Sequence, residues 1–160
     1  MKSAKEHYSK IKKKYLNFLK KQEVKGEPFY NKIIQLIKFY IPICDSIHSD
    51  YISKKECVTV GLSGGQGAGK TTIASILKII LETKYNFNVV SFSIDDFYKT
   101  LKQRQNMAKI THKLFLTRGV PGTHDTKLLY KFFKNLRRKK FNPISIPQFD
   151  KSLDNRKKKK

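Results

Sequence analysis

The chain has 160 residues, of which 39% are hydrophobic and 12% aromatic, and its 35 Lys and Arg against 12 Asp and Glu give a net charge of +23. This length suits one domain, and this hydrophobic content excludes a wholly disordered chain. Such a charge is compatible with binding to nucleic acid. Because the excess is almost all lysine spread along the chain, whereas arginine is preferred for bidentate phosphate and base contacts, we favour compositional drift and leave nucleic-acid binding as the weaker alternative.

The cysteines and the apolar segments indicate the compartment. Cys44 and Cys57 lack metal-binding spacing. Two cysteines without a pairing pattern, in a sequence with no signal-peptide pattern, predict a reducing, cytoplasmic setting. The most apolar stretch, residues 33–43, is too short to span a bilayer. We therefore predict no membrane association and leave the oligomeric state open.

Residues 1–55 are predicted to form a basic helical region that packs on the core. The first helix is expected over residues 1–25, where Ile11, Tyr15, Phe18 and Leu19 recur at helical spacing. A second helix is predicted over Phe29–Ile41, with an apolar stripe of Ile33, Ile34, Ile37 and Tyr40, and is expected to end at Pro42. A weaker third helix is predicted over Cys44–Tyr51. Each stripe could instead lie on a membrane surface, but core packing is the commoner explanation.

A glycine-rich loop follows a predicted strand in CVTVGL, residues 57–62. The segment LSGGQGAGKTT, residues 62–72, matches the phosphate-loop pattern GxxxxGK[ST]. Glycines let backbone N–H groups turn inward around phosphate oxygens, and the following helix adds the partial positive charge of its N-terminus. We predict that ATP is bound by the loop and the first helical turn: Gly64, Gly65, Gln66, Gly67, Ala68, Gly69, Lys70, Thr71 and Thr72. Lys70 would reach the β- and γ-phosphates, and the Thr71 hydroxyl would ligate Mg²⁺.

A second strand is predicted in NVVSFSI, residues 88–94, and is followed by two aspartates. This places Asp95 and Asp96 at a carboxyl edge of a sheet, where ligands bind in open α/β folds. One such carboxylate can accept the proton of an acceptor hydroxyl or hold Mg²⁺ through water, and the alternative is that both cap the next segment. We expect one cap and one functional group, and we favour Asp95 as functional. Asp96 and Tyr98 are further candidate substrate contacts.

The remaining elements are two helices, a loop and a strand. Helices are predicted over residues 102–115 and 125–138, and a third strand in NPISIP, residues 142–147. Between the helices, RGVPGTHD predicts a fixed loop with Asp125 as a helix N-cap. Arg118 and His124 could contact an anionic substrate or phosphate, although a structural role for His124 is equally open. The alternation of strands and helices predicts an α/β fold of the P-loop NTPase type: a three-layer parallel sheet with flanking helices and an N-terminal helical extension.

Four motifs in this order and spacing resemble D-glycerate 3-kinase and its relatives: SGGQGAGKTT, SIDDFY, TRGVPGTHD and PQFDKSLDNR. These kinases belong to the P-loop group that includes phosphoribulokinase, uridine kinase and pantothenate kinase. The resemblance covers residues 30–156 and implies transfer of the ATP γ-phosphate to a hydroxyl of D-glycerate or a similar small acid, with Mg²⁺. By this resemblance Lys70 and Thr71 match the nucleotide loop, Asp95 lies by the acceptor hydroxyl, and the substrate-side loop contributes Arg118, His124 and Asp125.

The resemblance has one departure, at the C-terminal side. Family members continue into a strand that ends in an acidic Glu-Gly element serving the metal, and then into more of the sheet and a nucleotide lid. We therefore expect an incomplete kinase core at 56–156, followed by a basic tail at 157–160. Two alternatives stay open: a P-loop kinase for a nucleoside, pantothenate or sugar acid, and a truncated non-catalytic module that binds ATP or nucleic acid.

Overall fold

The structure is a computed structural model that describes residues 2–24, 27–137 and 145–157. The chain divides into two compact units, residues 1–91 and 92–160. The predicted boundary at residue 55 lies inside the first unit. In the part of the chain that the structure describes, no helix is both long and apolar enough to cross a membrane.

The first unit is a helical assembly with one apolar core. It contains α1 (Lys2–Gln22), α2 (Lys32–Gln35), a π-helical turn (Leu36–Tyr40), α3 (Ile41–Lys54) and α4 (Lys70–Tyr85). The predicted stripe on α1 is confirmed in part, because Ile11, Tyr15 and Leu19 are buried and Phe18 packs against them. The other buried members of this core come from the following helices: Leu36, Cys44, Ile76, Leu77, Ile80 and Leu81. The core thus joins the N-terminal helix to the helix that follows the glycine-rich loop.

The predicted helix end at Pro42 is wrong, since the helical run continues from Lys32 to Lys54. The Ile41 N–H bonds to the Leu36 carbonyl, five residues back, so the hydrogen-bond register widens just before the proline. Pro42 then occupies the first turn of α3, where a missing N–H costs little. Leu36 is in the core, whereas the predicted stripe residues Ile34 and Ile37 are 52% and 48% exposed. Spacing alone identified an apolar helix but not the face that packs.

The predicted parallel sheet is not confirmed. Residues 57–62 and 88–93 form no strand, and Val60 and Leu62 are 47% and 42% exposed. A strand exists only through hydrogen bonds to a neighbouring strand, and no described segment pairs with either of these two. Of the third predicted strand, residues 142–144 lie outside the described residues, and residues 145–147 form no strand.

The second unit combines short helices with a small hairpin. It contains a 3₁₀ turn (Ile94–Phe97), α5 (Leu101–Ile110), a second 3₁₀ turn (Lys113–Leu116) and α6 (Thr126–Leu136). Two strands follow, β1 (Phe149–Asp150) and β2 (Asn155–Arg156), and they pair antiparallel. An aromatic cluster packs inside this unit, with the rings of Phe97 and Phe132 5.2 Å apart and Phe92 edge-on to both.

Candidate functional site

The glycine-rich loop contains two residues in left-handed backbone conformations. Gly67 and Gly69 adopt φ values of +78° and +71°, in the left-handed region that side chains disfavour. The Ala68 N–H donates to the Gly65 carbonyl at 3.3 Å, which closes a turn around Gln66 and Gly67. The loop residues are exposed. The loop is therefore accessible to a ligand.

The N-terminus of α4 is open for an anion. Gly69 is the N-cap and has no side chain that could accept the first N–H groups of the helix. The Ile73 N–H bonds to the Gly69 carbonyl at 2.9 Å, so the hydrogen-bonded turns start directly after the loop. Thr71, in the first turn, is exposed, and Thr72 is half-buried. A helix start of this kind carries partial positive charge and unpaired donors, which suit phosphate oxygens.

The Lys70 side chain folds back over the loop. Its Nζ donates to the carbonyls of Gly64 and Gly65 at 2.8 and 2.6 Å. The ammonium group thus lies against the loop backbone without a carboxylate partner in the described structure. A polyphosphate in the loop would give this charge a strong counter-ion.

The donor set of the loop fits an ATP–Mg²⁺ complex. The exposed Thr71 hydroxyl is an oxygen ligand of the kind that Mg²⁺ prefers. Among the described residues, no three His, Cys, Asp or Glu side chains are grouped so that they could hold a metal by themselves. Beside a nucleotide, Mg²⁺ usually takes most of its ligands from phosphate groups and water and only one or two from the protein, so the Thr71 hydroxyl could be one of them. The Mg²⁺ contact predicted for an aspartate such as Asp95 stays a prediction.

The two adjacent aspartates of the second unit have different environments. Asp96 closes a capping box, since its Oδ2 accepts the Ser93 N–H at 2.9 Å, and its Oδ1 accepts the Phe149 N–H at 3.1 Å. Asp95 instead directs a carboxylate that is one-third exposed towards Lys151, with Oδ2 3.0 Å from Nζ. Asp96 thus joins the 3₁₀ turn to β1, while Asp95 is accessible to a ligand.

Tyr98 and His124 form a stacked pair beside Asp95. Their ring centroids are 4.1 Å apart with planes inclined by 24°, and their backbones form an isolated bridge. Burial raises the pKa of the Tyr98 hydroxyl, the Asp95 charge adds to this effect, and nearby Arg118 and Lys151 oppose it. The His124 Nε2 atom is buried and has no hydrogen-bond partner in the described part of the chain. Buried polar atoms without a partner are uncommon in proteins, so this nitrogen marks His124 as a candidate for a functional role.

Arg118 and Asp125 stand at the two ends of the predicted loop, and each makes an ion pair. The Arg118 Nη1 donates to Asp154 Oδ1 at 2.7 Å and to the Lys151 carbonyl at 3.3 Å. Asp125 caps α6 as predicted, because its Oδ1 accepts the Leu128 N–H at 3.0 Å. Its Oδ2 also accepts a hydrogen bond from Arg156 at 3.1 Å. Asp125 therefore fixes the end of the loop that carries His124.

Sequence reasoning missed the residues that hold this arrangement together. Arg104 on α5 is fully buried and donates to the Leu116 carbonyl and to Asp154. Burial alone would raise the pKa of the Asp154 carboxyl, but the hydrogen bonds and charges of Arg104 and Arg118 outweigh it and lower that pKa. Lys151, Asp154 and Arg156 all lie in the quoted motif PQFDKSLDNR. The motif indicated that these charged residues belong to the site, but sequence spacing does not predict which residue each of them pairs with.

The structure brings one group of predicted residues together in each unit. Within the second unit, contacts connect Asp95, Asp96, Tyr98, Arg118, His124 and Asp125 through the hairpin. Within the first unit, Gly64–Thr72 form the loop and the start of α4. The contacts that join each group lie within its own unit.

The chain is similar to kinases, although no protein-family model matches it. It is 41% identical over 95 residues to the uncharacterized kinase mug58 of Schizosaccharomyces pombe, which covers 58% of this chain and 34% of that protein. It is 32% identical over 104 residues to uridine-cytidine kinase-like 1 of Mus musculus, covering 65% of this chain and 18% of that protein. The solved structure of the YGR205w protein superposes with a TM-score of 0.58 and 28% identity, over 74% of this chain and 45% of that one.

These likenesses support a P-loop kinase family. They do not support D-glycerate in particular, because one relative is named only as a kinase and the other as uridine-cytidine kinase-like. The chain spans well under two thirds of each of these proteins. The activity of the whole protein is therefore a matter for proposal.

Proposed function

We propose that this chain carries the phosphate-binding and acceptor-binding parts of an ATP-dependent small-molecule kinase. The observation that carries the proposal is the glycine-rich loop, whose left-handed glycines and open helix N-terminus present donors beside Lys70. The similarity to named kinases supports the same function. The reaction is transfer of the ATP γ-phosphate to a hydroxyl group.

The first unit supplies the contacts to ATP. Backbone N–H groups of the loop and of the first turn of α4 bind phosphate oxygens, and Lys70 exchanges its two carbonyl partners for the β- and γ-phosphates. Thr71 would hold Mg²⁺, which neutralises phosphate charge when bound. Thr72, half-buried in the first turn, supports the helix start.

The second unit supplies the contacts to the acceptor. Asp95 takes the proton of the attacking hydroxyl, because its carboxylate is accessible where that of Asp96 is committed to two backbone N–H groups. The Tyr98 hydroxyl and the Arg118 guanidinium provide polar contacts, and His124, whose buried Nε2 has no partner among the described residues, is a further candidate. The basic side chains favour a small hydroxy acid such as D-glycerate. A nucleoside is the second candidate, supported by the similarity to a uridine-cytidine kinase-like protein.

Binding of ATP–Mg²⁺ tests the function. We expect Lys70→Ala to weaken ATP binding in calorimetry by tenfold or more, about the loss of one hydrogen bond between charged groups. The thermal unfolding midpoint should be unchanged, because the described contacts of Lys70 go only to exposed loop carbonyls. Lys102→Ala is the matched control, since Lys102 is an exposed lysine on α5. Failure of the wild-type chain to bind ATP–Mg²⁺ at millimolar concentration would contradict the proposal.

The acceptor is tested with a substrate panel. Phosphorylation of D-glycerate, uridine, pantothenate and a sugar acid is compared, each with wild type and with Asp95→Asn. We expect the variant to lose phosphoryl transfer while it retains ATP binding. Transfer that survives Asp95→Asn at the wild-type rate would contradict the role of Asp95.

A further inference from the structure

The turn of the β1–β2 hairpin brings a lysine to the candidate proton acceptor. The Nζ atom of Lys151 lies 3.0 Å from Asp95 Oδ2, and the two side chains are 66% and 33% exposed. The two residues are 56 positions apart in the sequence, so the fold of the second unit creates the pair. Sequence reasoning gave Lys151 no role.

The backbone of Lys151 is fixed although its side chain is exposed. Its carbonyl accepts a hydrogen bond from Arg118 at 3.3 Å. The preceding Asp150 accepts the N–H groups of Ser152 and Leu153 at 3.0 and 3.2 Å, which shapes the turn. A fixed stem with a solvated ammonium group can change its partner without rebuilding the hairpin.

Each neighbouring cation is paired with a group other than Asp95. Arg104 and Arg118 both pair with Asp154, Arg156 pairs with Asp125, and Lys99 donates to the carbonyls of Gly122 and His124. Lys151 differs because its described ion pair is with Asp95. An ion pair this exposed contributes little stability. An incoming anion can therefore compete for the ammonium group.

We propose that Lys151 is a specificity-determining residue that exchanges its charge partner when the acceptor binds. This inference rests on the proposed kinase function. Without acceptor, the Lys151 ammonium neutralises Asp95. The carboxylate of a hydroxy acid takes over the ammonium group, and Asp95 becomes free to accept a proton.

The chemical step then balances. The acceptor O–H gives its proton to an Asp95 carboxylate oxygen, and the acceptor oxygen forms a bond to the γ-phosphorus. The bond from that phosphorus to the β–γ bridging oxygen breaks, and ADP leaves with the electron pair. A neutral nucleoside offers Lys151 no negative charge, so the ammonium stays on Asp95 and transfer to that acceptor is disfavoured.

Calorimetric titration of the full chain with D-glycerate and with uridine, in the absence of ATP, tests the exchange. We expect Lys151→Met to weaken D-glycerate binding by about tenfold, the size of one hydrogen bond between charged groups, and to leave uridine binding unchanged. Lys102→Met, an exposed lysine of the same unit, should alter neither. Asp95→Asn should tighten D-glycerate binding, because it removes the carboxylate that competes for Lys151.

The direction of the change in D-glycerate affinity in Asp95→Asn distinguishes an exchange of partners at Lys151 from a pocket that merely attracts charge. Weaker D-glycerate binding in Asp95→Asn overturns the proposal, as does wild-type binding in Lys151→Met or a wild-type chain that binds uridine but not D-glycerate. Lys70-dependent ATP binding alongside any of these results leaves the kinase function standing and removes only the role of Lys151. Loss of ATP binding removes the kinase function instead, so the two failures are distinguishable.

Discussion

The two units of this chain differ in how far the groups that stabilise the fold are separate from the candidate ligand contacts. In the first unit, an apolar core of helices supports a loop whose polar groups are exposed. In the second unit, the ion pairs that stabilise the fold include residues predicted to contact the acceptor, namely Arg118 and Asp125. Substitutions in the loop should therefore change binding far more than stability, whereas substitutions around the hairpin should change both together.

Asp154 shows how the second unit combines both tasks. It receives Arg104 and Arg118 on its two carboxylate oxygens at 2.8 and 2.7 Å. Arg104 is buried and ties the turn to α5, while Arg118 belongs to the predicted acceptor loop. A substitution at Asp154 should thus affect both the stability of the unit and the position of Arg118 in the candidate site.

The largest expected effect is that of Arg104→Met. The guanidinium donates to the carbonyls of Lys99, Leu116 and Asp154 and to the Asp154 carboxylate. Methionine would fill part of the space but leave these acceptors without a donor, so we expect a loss of about 2–4 kcal/mol in the free energy of unfolding. Urea denaturation measures the loss, and hydrogen exchange should show it in residues 92–137 and 145–157. An unchanged denaturation midpoint would contradict the view that polar contacts hold this unit.

Arg118→Met is the matched control for that experiment. Arg118 shares the Asp154 partner but is partly exposed, with 35% of its side chain accessible. Its ion pair is screened by water, so the stability loss should be clearly smaller than that of Arg104→Met. Equal losses would indicate that burial of Arg104 has no special weight.

The sequence predicted the parts of this molecule that depend on local chemistry. The loop pattern predicted the helix start, and Asp125 was predicted as a cap and is one. One of the two adjacent aspartates was expected to be a cap, and Asp96 is one, whereas the functional role of Asp95 stays a prediction. Each of these features is decided by residues within a few positions of one another.

Features decided by distant partners escaped prediction. The burial of Arg104 depends on Asp154, 50 positions away, and no helical periodicity reveals it. The apolar runs at 57–62 and 88–94 resembled strands, but a strand also needs a neighbour to bond, and the described residues supply none. Pro42 predicted a helix end, but the π-helical turn before it shifts the hydrogen-bond register, so the helix accommodates a residue without an N–H. Long-range pairing explains the burial of Arg104 and the missing strands, whereas the Pro42 case depends on a local change of helix register that residue preferences do not reveal.

Acid should affect the second unit through Asp154. Because the folded-state pKa of Asp154 lies below its usual value of 3.8, its contribution is complete above the unfolded-state pKa and is lost as pH falls through the folded-state value. We expect the stability difference between wild type and Asp154→Asn, measured by urea denaturation, to be largest near neutral pH and to shrink below about pH 4. A difference that stays constant down to the acid limit would contradict the role of the two arginine pairs.

The first unit offers a comparison for this pH experiment. Burial would raise the pKa of Asp45, but hydrogen bonds from Lys84 and Tyr85 lower it overall. Asp45, like Asp154, therefore contributes stability that is lost as the pH falls. Asp45→Asn should therefore reduce the acid sensitivity of residues 27–91 and leave that of residues 92–137 unchanged, as followed by hydrogen exchange. A shift in both ranges would show that the two units do not respond separately.

The smallest expected effect on stability is that of Gly67→Ala. An added Cβ would meet no atom within 4 Å, so the cost comes only from the left-handed backbone at φ +78°. That conformation costs an alanine about 1 kcal/mol, and Gly65→Ala, equally open but outside the left-handed region, should cost less. ATP binding should fall far more than stability in Gly67→Ala, since the donors of the loop depend on its backbone shape. If the variant instead lost stability and kept its ATP affinity, the loop would serve the fold rather than the ligand, and the contrast between the two units would fail.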